Sequence, residues 1–173
     1  MSTFTLRTCT PADVAVYRDV RLAALADAPS AFGSTHASEA ARDEGFWHDR
    51  LARCDGRRGV TVLAFADDQQ AACGLATGVF ETATNPAGRP GVAWLLSMWV
   101  GPDVRRNGLG RRIVEAIVGW ARQAEAEQLL LHVTLGNEGA ERLYTRCGFV
   151  RTGRLEPHPV YAGVMEAEMR LLL

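Results

Sequence analysis

The chain has 173 residues, 47% of them aliphatic, aromatic or sulfur-bearing and 23% charged, with a formal net charge of −1. That length suits one domain with a proper core, residues 1–173, and leaves little room for two. The balance excludes a disordered chain and a surface built to coat a polyanion, so nucleic acid is not an expected partner.

In chain order, "FTLRTCT" alternates as a short strand should. Thr10-Pro11-Ala12-Asp13 then opens a helix, with Thr10 at the N-cap and Pro11 at the first helical position, that runs through "VAVYRDVRLAAL". A break at "DAPSAFGST" precedes a second polar helix over Ser38 to Arg53, in which Phe46, Trp47 and Leu51 form an apolar stripe. "GVTVLAFA" and "AACGLATGVFE" read as antiparallel strands joined by a hairpin turn at Asp67-Asp68-Gln69-Gln70. The turn-rich "TATNPAGRPG" leads into "VAWLLSMWV", an apolar run predicted to be a strand covered on both faces.

Beyond it, Ile113, Ile117, Trp120 and Ala124 repeat at helical spacing, and "LLLHVT" reads as a buried strand. Asn137 suits the cap of a short helix carrying Ala140, Leu143, Tyr144 and Cys147 on one face, and Gly148 sits where such a helix stops. "FVRTGRLE" and "VMEAEMRLLL" read as closing strands. The predicted order is β-α-α-β-β-β-α-β-α-β-β.

No run approaches the roughly 20 apolar residues that span a bilayer, and "MSTFTLRTCTPADV" lacks a basic stretch followed by an apolar one. A cytoplasmic protein with no membrane partner is the expectation. Cys9, Cys54, Cys73 and Cys147 are scattered, without a Cys-x-x-Cys, so reduced thiols are expected and no metal site. His36, His48 and His158 lie in polar or turn-like surroundings and lack ligand spacing, while His132 reads as a hydrogen-bonded interior histidine.

The most informative stretch is "VGPDVRRNGLGRRIVEAIVGWAR", a strand end, a glycine-containing turn and a helix start. The first amides of a helix have no intrahelical acceptor and lie at the positive end of its dipole, so such a turn suits phosphate. Gly108 and Gly110 let a ligand approach the backbone, and Arg105, Arg106, Arg111 and Arg112 add charge. An ordinary turn with solvated arginines is the alternative. A Walker A loop would need Gly-Lys-Ser/Thr where Gly110-Arg111-Arg112 stands. A dinucleotide fingerprint would need a small residue at Ile113 and an acid where Thr134 and Leu135 end the next strand.

Arg105-Arg106-Asn107-Gly108-Leu109-Gly110 resembles the Arg/Gln-x-x-Gly-x-Gly/Ala signature of the GNAT superfamily of N-acetyltransferases, and "NEGAERLYTRCGFV" resembles its Asn-x-x-Ala-x-x-Leu-Tyr-x-x-x-Gly-Phe segment. The likeness is sharpest over residues 92 to 153. It implies an α/β (α+β) fold, with a mixed, mostly antiparallel twisted sheet of about seven strands, splayed at the cofactor site and flanked by about four helices. It implies acetyl-CoA as co-substrate, its diphosphate on the turn Arg105, Arg106, Asn107, Gly108, Leu109, Gly110 and Arg111. The splayed strand Met98, Trp99, Val100 would offer backbone groups to the pantetheine arm, and Asn137 a further contact.

The resemblance also makes Tyr144 the acid that protonates the departing thiolate. A phenol near pKa 10 can protect a thiol near 8.5 without ionising first. The Met98 amide would meet the oxyanion. Where many relatives carry a glutamate this chain has Trp94, which leaves Glu81, a water relay or no group at all as the base. The acceptor is expected to be a primary amine of a small molecule, such as an antibiotic, a polyamine or an amino-acid derivative. Its pocket would be built around Phe32, Ser34, Trp47, Trp94 and Tyr161, with the acids Asp27, Glu39, Glu44 and Glu81 near the mouth. A protein lysine or N-terminal amine is the alternative acceptor, and a non-catalytic acyl-CoA sensor the alternative of another class. Similar proteins suggest a homodimer through the closing strands.

Overall fold

The computed structural model describes residues 3–66 and 69–173. Alternation buries Phe4 and exposes Thr5 in strand β1 (Phe4–Thr8), which pairs antiparallel with β2 (Gly59–Ala66). The expected hairpin is present as β2 against β3 (Ala72–Phe80), although Asp67 and Asp68 of its turn lie outside the described residues. Strands β4 (Val92–Val100), β5 (Gln128–Thr134), β6 (Val150–Pro157) and β7 (Met165–Leu172) complete a seven-stranded sheet in the order β1-β2-β3-β4-β5-β7-β6. Only β4 and β5 run parallel among its pairs, so the sheet is mixed and mostly antiparallel, as the resemblance implied.

Thr10 does open the first helix, through a single tight turn at Pro11–Asp13 in which the Asp13 carboxylate accepts from the Thr10 amide at 2.7 Å; α1 (Val14–Asp27) follows. The second predicted helix is two: α2 (His36–Ala40) and α3 (Glu44–Ala52). Two caps explain the split, because Thr35 accepts from the Ser38 amide and Asp43 from the Phe46 amide, each starting its own turn. Glu81–Thr84 adds the one-turn α4, and with α5 (Leu109–Gln123) and α6 (Glu138–Arg146) the described residues hold six α-helices where about four were expected.

The helices cover both faces of the sheet. On one face α5 buries Ile113, Val114, Ile117 and Ala121; on the other α1 and α3 bury Tyr17, Leu25, Trp47 and Leu51 against Leu63 and Leu75. Close contact with α5 depends on Gly78, where a Cβ would stand 2.7 Å from the Trp120 ring and 2.9 Å from Ile117. No helix among the described residues is long and apolar enough to cross a membrane.

The feature that positions a site is a failure of pairing. β4 meets β5 only from Val92 to Trp94, opposite Gln128 to Leu130, and the strands then separate. On the other side of β4 the register with β3 shifts between Leu75 and Thr77, and Ser97 takes a left-handed φ of 56°. Ser97 and Met98 therefore have no paired residue on either neighbouring strand. This exposes part of a strand predicted to be covered on both faces: Leu96 is 42% exposed at the opening.

Candidate functional site

The turn from β4 to α5 bends through left-handed backbone at Arg106 (φ 64°) and Gly108 (φ 78°). Backbone amides from Arg106 through Arg111 donate to no described residue, and the next amide, that of Arg112, starts the helical ladder on the Gly108 carbonyl. A row of unbonded donors converging at a helix start is a ready anion seat. Leu109 anchors the turn in the core, and α5 runs so near α6 that a Cβ on Gly110 would lie 3.2 Å from Leu143.

Of the four arginines, three already have partners. Arg105 donates to the Val100 carbonyl at 2.9 Å and pairs with Asp27 at the end of α1; Arg111 pairs with Glu115 at 2.7 Å; Arg112 donates to the Phe4 carbonyl at 3.0 Å. Arg106 has no side-chain partner among the described residues, and Asn107 beside it is exposed. Trp99 turns its side chain to the opposite face of the sheet, where its indole donates to Asp27 at 2.9 Å, so only its backbone borders the opening.

Between the separated strands lies a cavity of about 540 Å³ lined by Ser97, Met98, Asn137 and Tyr144 among others. Asn137 caps α6, accepting from the Ala140 amide at 3.2 Å. The helix ends through Gly148 at φ 93°, with the Phe149 amide on the Tyr144 carbonyl. Tyr144 is 6% exposed, its hydroxyl bonds to no described residue, and burial, aided by Cys147, pushes its phenol well above the ordinary range. A hydroxyl with no internal partner that keeps some surface on an open cleft is available to a ligand.

The far wall of the cavity comes from α1, α2 and α3. Arg21, 3% exposed, donates to both carboxylate oxygens of Glu39 (3.0 and 2.8 Å), to Ser34 at 2.9 Å and to Ser97 at 3.1 Å. Burial raises the Glu39 carboxyl, but Arg21, Ser34 and Arg50 outweigh it and hold the group at about 2. The periodicity of α1 carried a signal for this pair: Arg21 falls within the stripe of Tyr17, Val20, Ala24 and Leu25, a charge at an apolar position that demands a buried partner. The partner, 18 residues away on another helix, had no such signal.

His132 also lines the cavity, and the expectation of a hydrogen-bonded interior histidine is not met. Its Nε2 is buried without a hydrogen-bond partner, 3.8 Å from Glu156, and its Nδ1 stands 4.0 Å from Glu166, while the ring packs 4.9 Å from Trp94. The splay next to β5 leaves a ring there without neighbours to bond. Glu81 is not brought to the cavity: it pairs with Arg89 at 2.9 Å and lies 3.4 Å from the Trp94 indole nitrogen, at the base of β4. Phe32 and Ser34 line the cavity as expected, but Trp47 is packed edge-on to Tyr17 in the core and Tyr161 stacks on His158. His158 opens the turn after β6, as its turn-like surroundings suggested, and is 5% exposed. Its Nδ1 accepts two backbone amides, which leaves Nε2–H to donate to the Ser30 carbonyl at 3.1 Å. Among the described residues no group of His, Cys, Asp and Glu is placed to hold a metal ion.

Comparison with known proteins points to one family. The profile of the Acetyltransferase (GNAT) family matches residues 22–149. Aminoglycoside N(6')-acetyltransferase type 1 of Acinetobacter genomosp. 13 is 26% identical over 113 residues, 65% of this chain and 77% of that protein. An acetyltransferase of the GNAT family from Streptococcus pneumoniae superposes with a TM-score of 0.79 at 21% identity, covering 99% of both chains. The yncA protein of Salmonella typhimurium, solved with its cofactor acetyl-CoA, gives a TM-score of 0.75 at 19% identity over 99% of this chain and 95% of that one.

Proposed function

The chain belongs to the GNAT family and is an acetyl-CoA-dependent acyltransferase, and from that premise we propose that it acetylates the primary amine of a small molecule. The observation that carries the reading is the row of unbonded amides from Arg106 to Arg111 beside a cleft that holds the unengaged Tyr144 hydroxyl. The amides and the Arg106 side chain receive the diphosphate of acetyl-CoA, while Arg105, already bonded to Asp27 and Val100, braces the turn. Met98 and Val100 border the thioester arm, and Asn137 stands beside it.

An amine entering from the α1–α3 side must lose a proton before it can attack. His132 takes this role in preference to Glu81, because it lines the cavity and its Nδ1 is the ring nitrogen left open there beside Glu166, while the enclosed Nε2, 3.8 Å from Glu156, carries the ring proton. The amine nitrogen attacks the thioester carbonyl, the C–N bond forms, and the oxyanion is met by the Met98 amide. The C–S bond then breaks and the thiolate takes the Tyr144 proton, which the proton released from nitrogen restores. Products are the amide and the free thiol, so atoms and charge balance.

A cavity of about 540 Å³, shared with the end of the thioester arm, favours a small acceptor over a segment of folded protein. A panel of amines incubated with acetyl-CoA, read by thiol release, tests the reading. Release with one or more small amines is expected. Absence of any affinity for coenzyme A by calorimetry would overturn the assignment, and tight binding with no release from any amine or peptide would favour a sensor instead.

A further inference from the structure

The acceptor wall of the cavity has a charge imbalance that a plain amine does not explain. Three guanidinium groups line it, Arg21 from α1, Arg42 from the α2–α3 connection and Arg50 from α3, and one carboxylate, Glu39, answers them. Arg21 is fully occupied: its three nitrogens bond Glu39, Ser34 and Ser97. Arg50 reaches the same Glu39 oxygen through a single nitrogen at 3.1 Å, leaving its other donors unengaged, and its side chain is 30% exposed. Arg42 has no carboxylate within bonding reach among the described residues. Both free groups pack over one ring, with guanidinium carbons 5.1 Å (Arg42) and 5.8 Å (Arg50) from the Phe46 centroid. One ring thus meets both under-neutralised cations, in the lining of a cavity that His132 and Glu166 also border.

We infer that the acceptor amine also bears an anionic group, a carboxylate or phosphonate, which docks on Arg42 and Arg50 while its nitrogen points toward His132. The inference rests on the acetyltransferase reading above and names the substrate class for it. Guanidinium pairs recognise carboxylate and phosphonate oxygens with directed, charge-assisted hydrogen bonds, and a partly enclosed site strengthens them over an exposed one. The same wall disfavours a polycation, since each added ammonium group meets like charge with no acid other than Glu39 lining the helix side of the cavity. Glu39 is spent on Arg21, and Glu166 lies at the nucleophile end. A cavity of about 540 Å³, shared with the thioester arm, has room for an acceptor of amino-acid or aminophosphonate size.

The test is steady-state thiol release with acetyl-CoA and a panel of α-amino acids, their methyl esters, 2-aminoethylphosphonate, spermidine and an aminoglycoside. At least one acid-bearing amine is expected to exceed its ester in kcat/KM by about tenfold or more, the value of one charge-assisted contact. Arg42→Gln, on an exposed position that the fold does not need, should raise KM for the acid by about tenfold and pull the acid-to-ester ratio toward one, with KM for acetyl-CoA unchanged. Arg57→Gln, an exposed arginine away from the cavity, should keep the wild-type ratio. Equal use of acid and ester, a preference for spermidine or the aminoglycoside, or an Arg42→Gln ratio equal to wild type would overturn the inference while leaving the acetyltransferase reading standing. Silence of every acid-bearing amine, with acetyl-CoA tightly bound, also counts against it. Failure to bind acetyl-CoA is the separate outcome that removes the reading beneath it.

Discussion

Replacing Glu39 by Gln removes one charge from a pair whose side chains are 4% and 5% exposed, and leaves the Arg21 guanidinium buried beside a neutral amide. The carboxyl is held at about 2 against an ordinary value of 4.5, and a difference of that size corresponds to about 3 kcal/mol at neutral pH. Removing one partner of a buried pair costs about 3–5 kcal/mol, and since Gln can still accept one Arg21 bond the lower end applies. For a chain of this length that lowers the melting temperature by about 6–12 °C. Urea titration and thermal melts of wild type and variant measure it. Because the folded carboxyl is depressed, its contribution is complete above about pH 4.5 and fades as pH falls toward 2, so the two stability curves should converge on acidification. A loss below about 1 kcal/mol at pH 7, or a gap that stays constant down to pH 3, would refute the reasoning that Arg21 depends on this carboxylate.

Tyr144→Phe should lower kcat by about a hundredfold, the reach of a general acid, with KM for acetyl-CoA little changed; an unaltered kcat removes the phenol from the chemistry. Arg106→Glu should weaken coenzyme A by about tenfold or more and spare a pantetheine fragment without the diphosphate. Calorimetry that finds equal losses for both ligands argues against the phosphate contact. Gly78→Ala should destabilise the fold by about 1–3 kcal/mol through overpacking, since its new methyl carbon starts 2.7 Å from Trp120. Chemical denaturation followed by tryptophan fluorescence reads this, and a neutral result would mean that α5 can shift at little cost.

The local structure of the proposed cofactor side was legible because its information is local. Gly108, Gly110 and the arginines occupy one turn, Asn137, Tyr144 and Gly148 one short helix, and each piece sits where the pattern put it. The acceptor side was not legible, because it is assembled from distant segments. Arg21 meets Glu39 across two helices and Ser97 across 76 residues of sequence, and nothing local in "ALADAPSAFGSTHASEAARDEGFW" announces those contacts. The split between α2 and α3 was readable in principle, from Asp43 three residues before Phe46, but the apolar stripe of one longer helix masked the cap. His132 was misjudged for a different reason: a histidine inside an apolar strand is hydrogen-bonded only if neighbours come within reach, and the divergence of β4 from β5 removes them.

Asp27 gives α1 a double duty. Its carboxylate ties the end of that helix to Trp99 and to Arg105 in the β4–α5 turn, while Arg21, less than two turns earlier, lines the cavity. One rod thus braces both the turn and the cavity wall, and on the proposed reading redesign that re-cuts α1 to admit a new amine would disturb the seat of the acyl donor as well. The pair α2–α3 shares no hydrogen bond or ion pair with that turn among the described residues. It is the segment that laboratory evolution can reshape for altered selectivity while leaving the donor half intact.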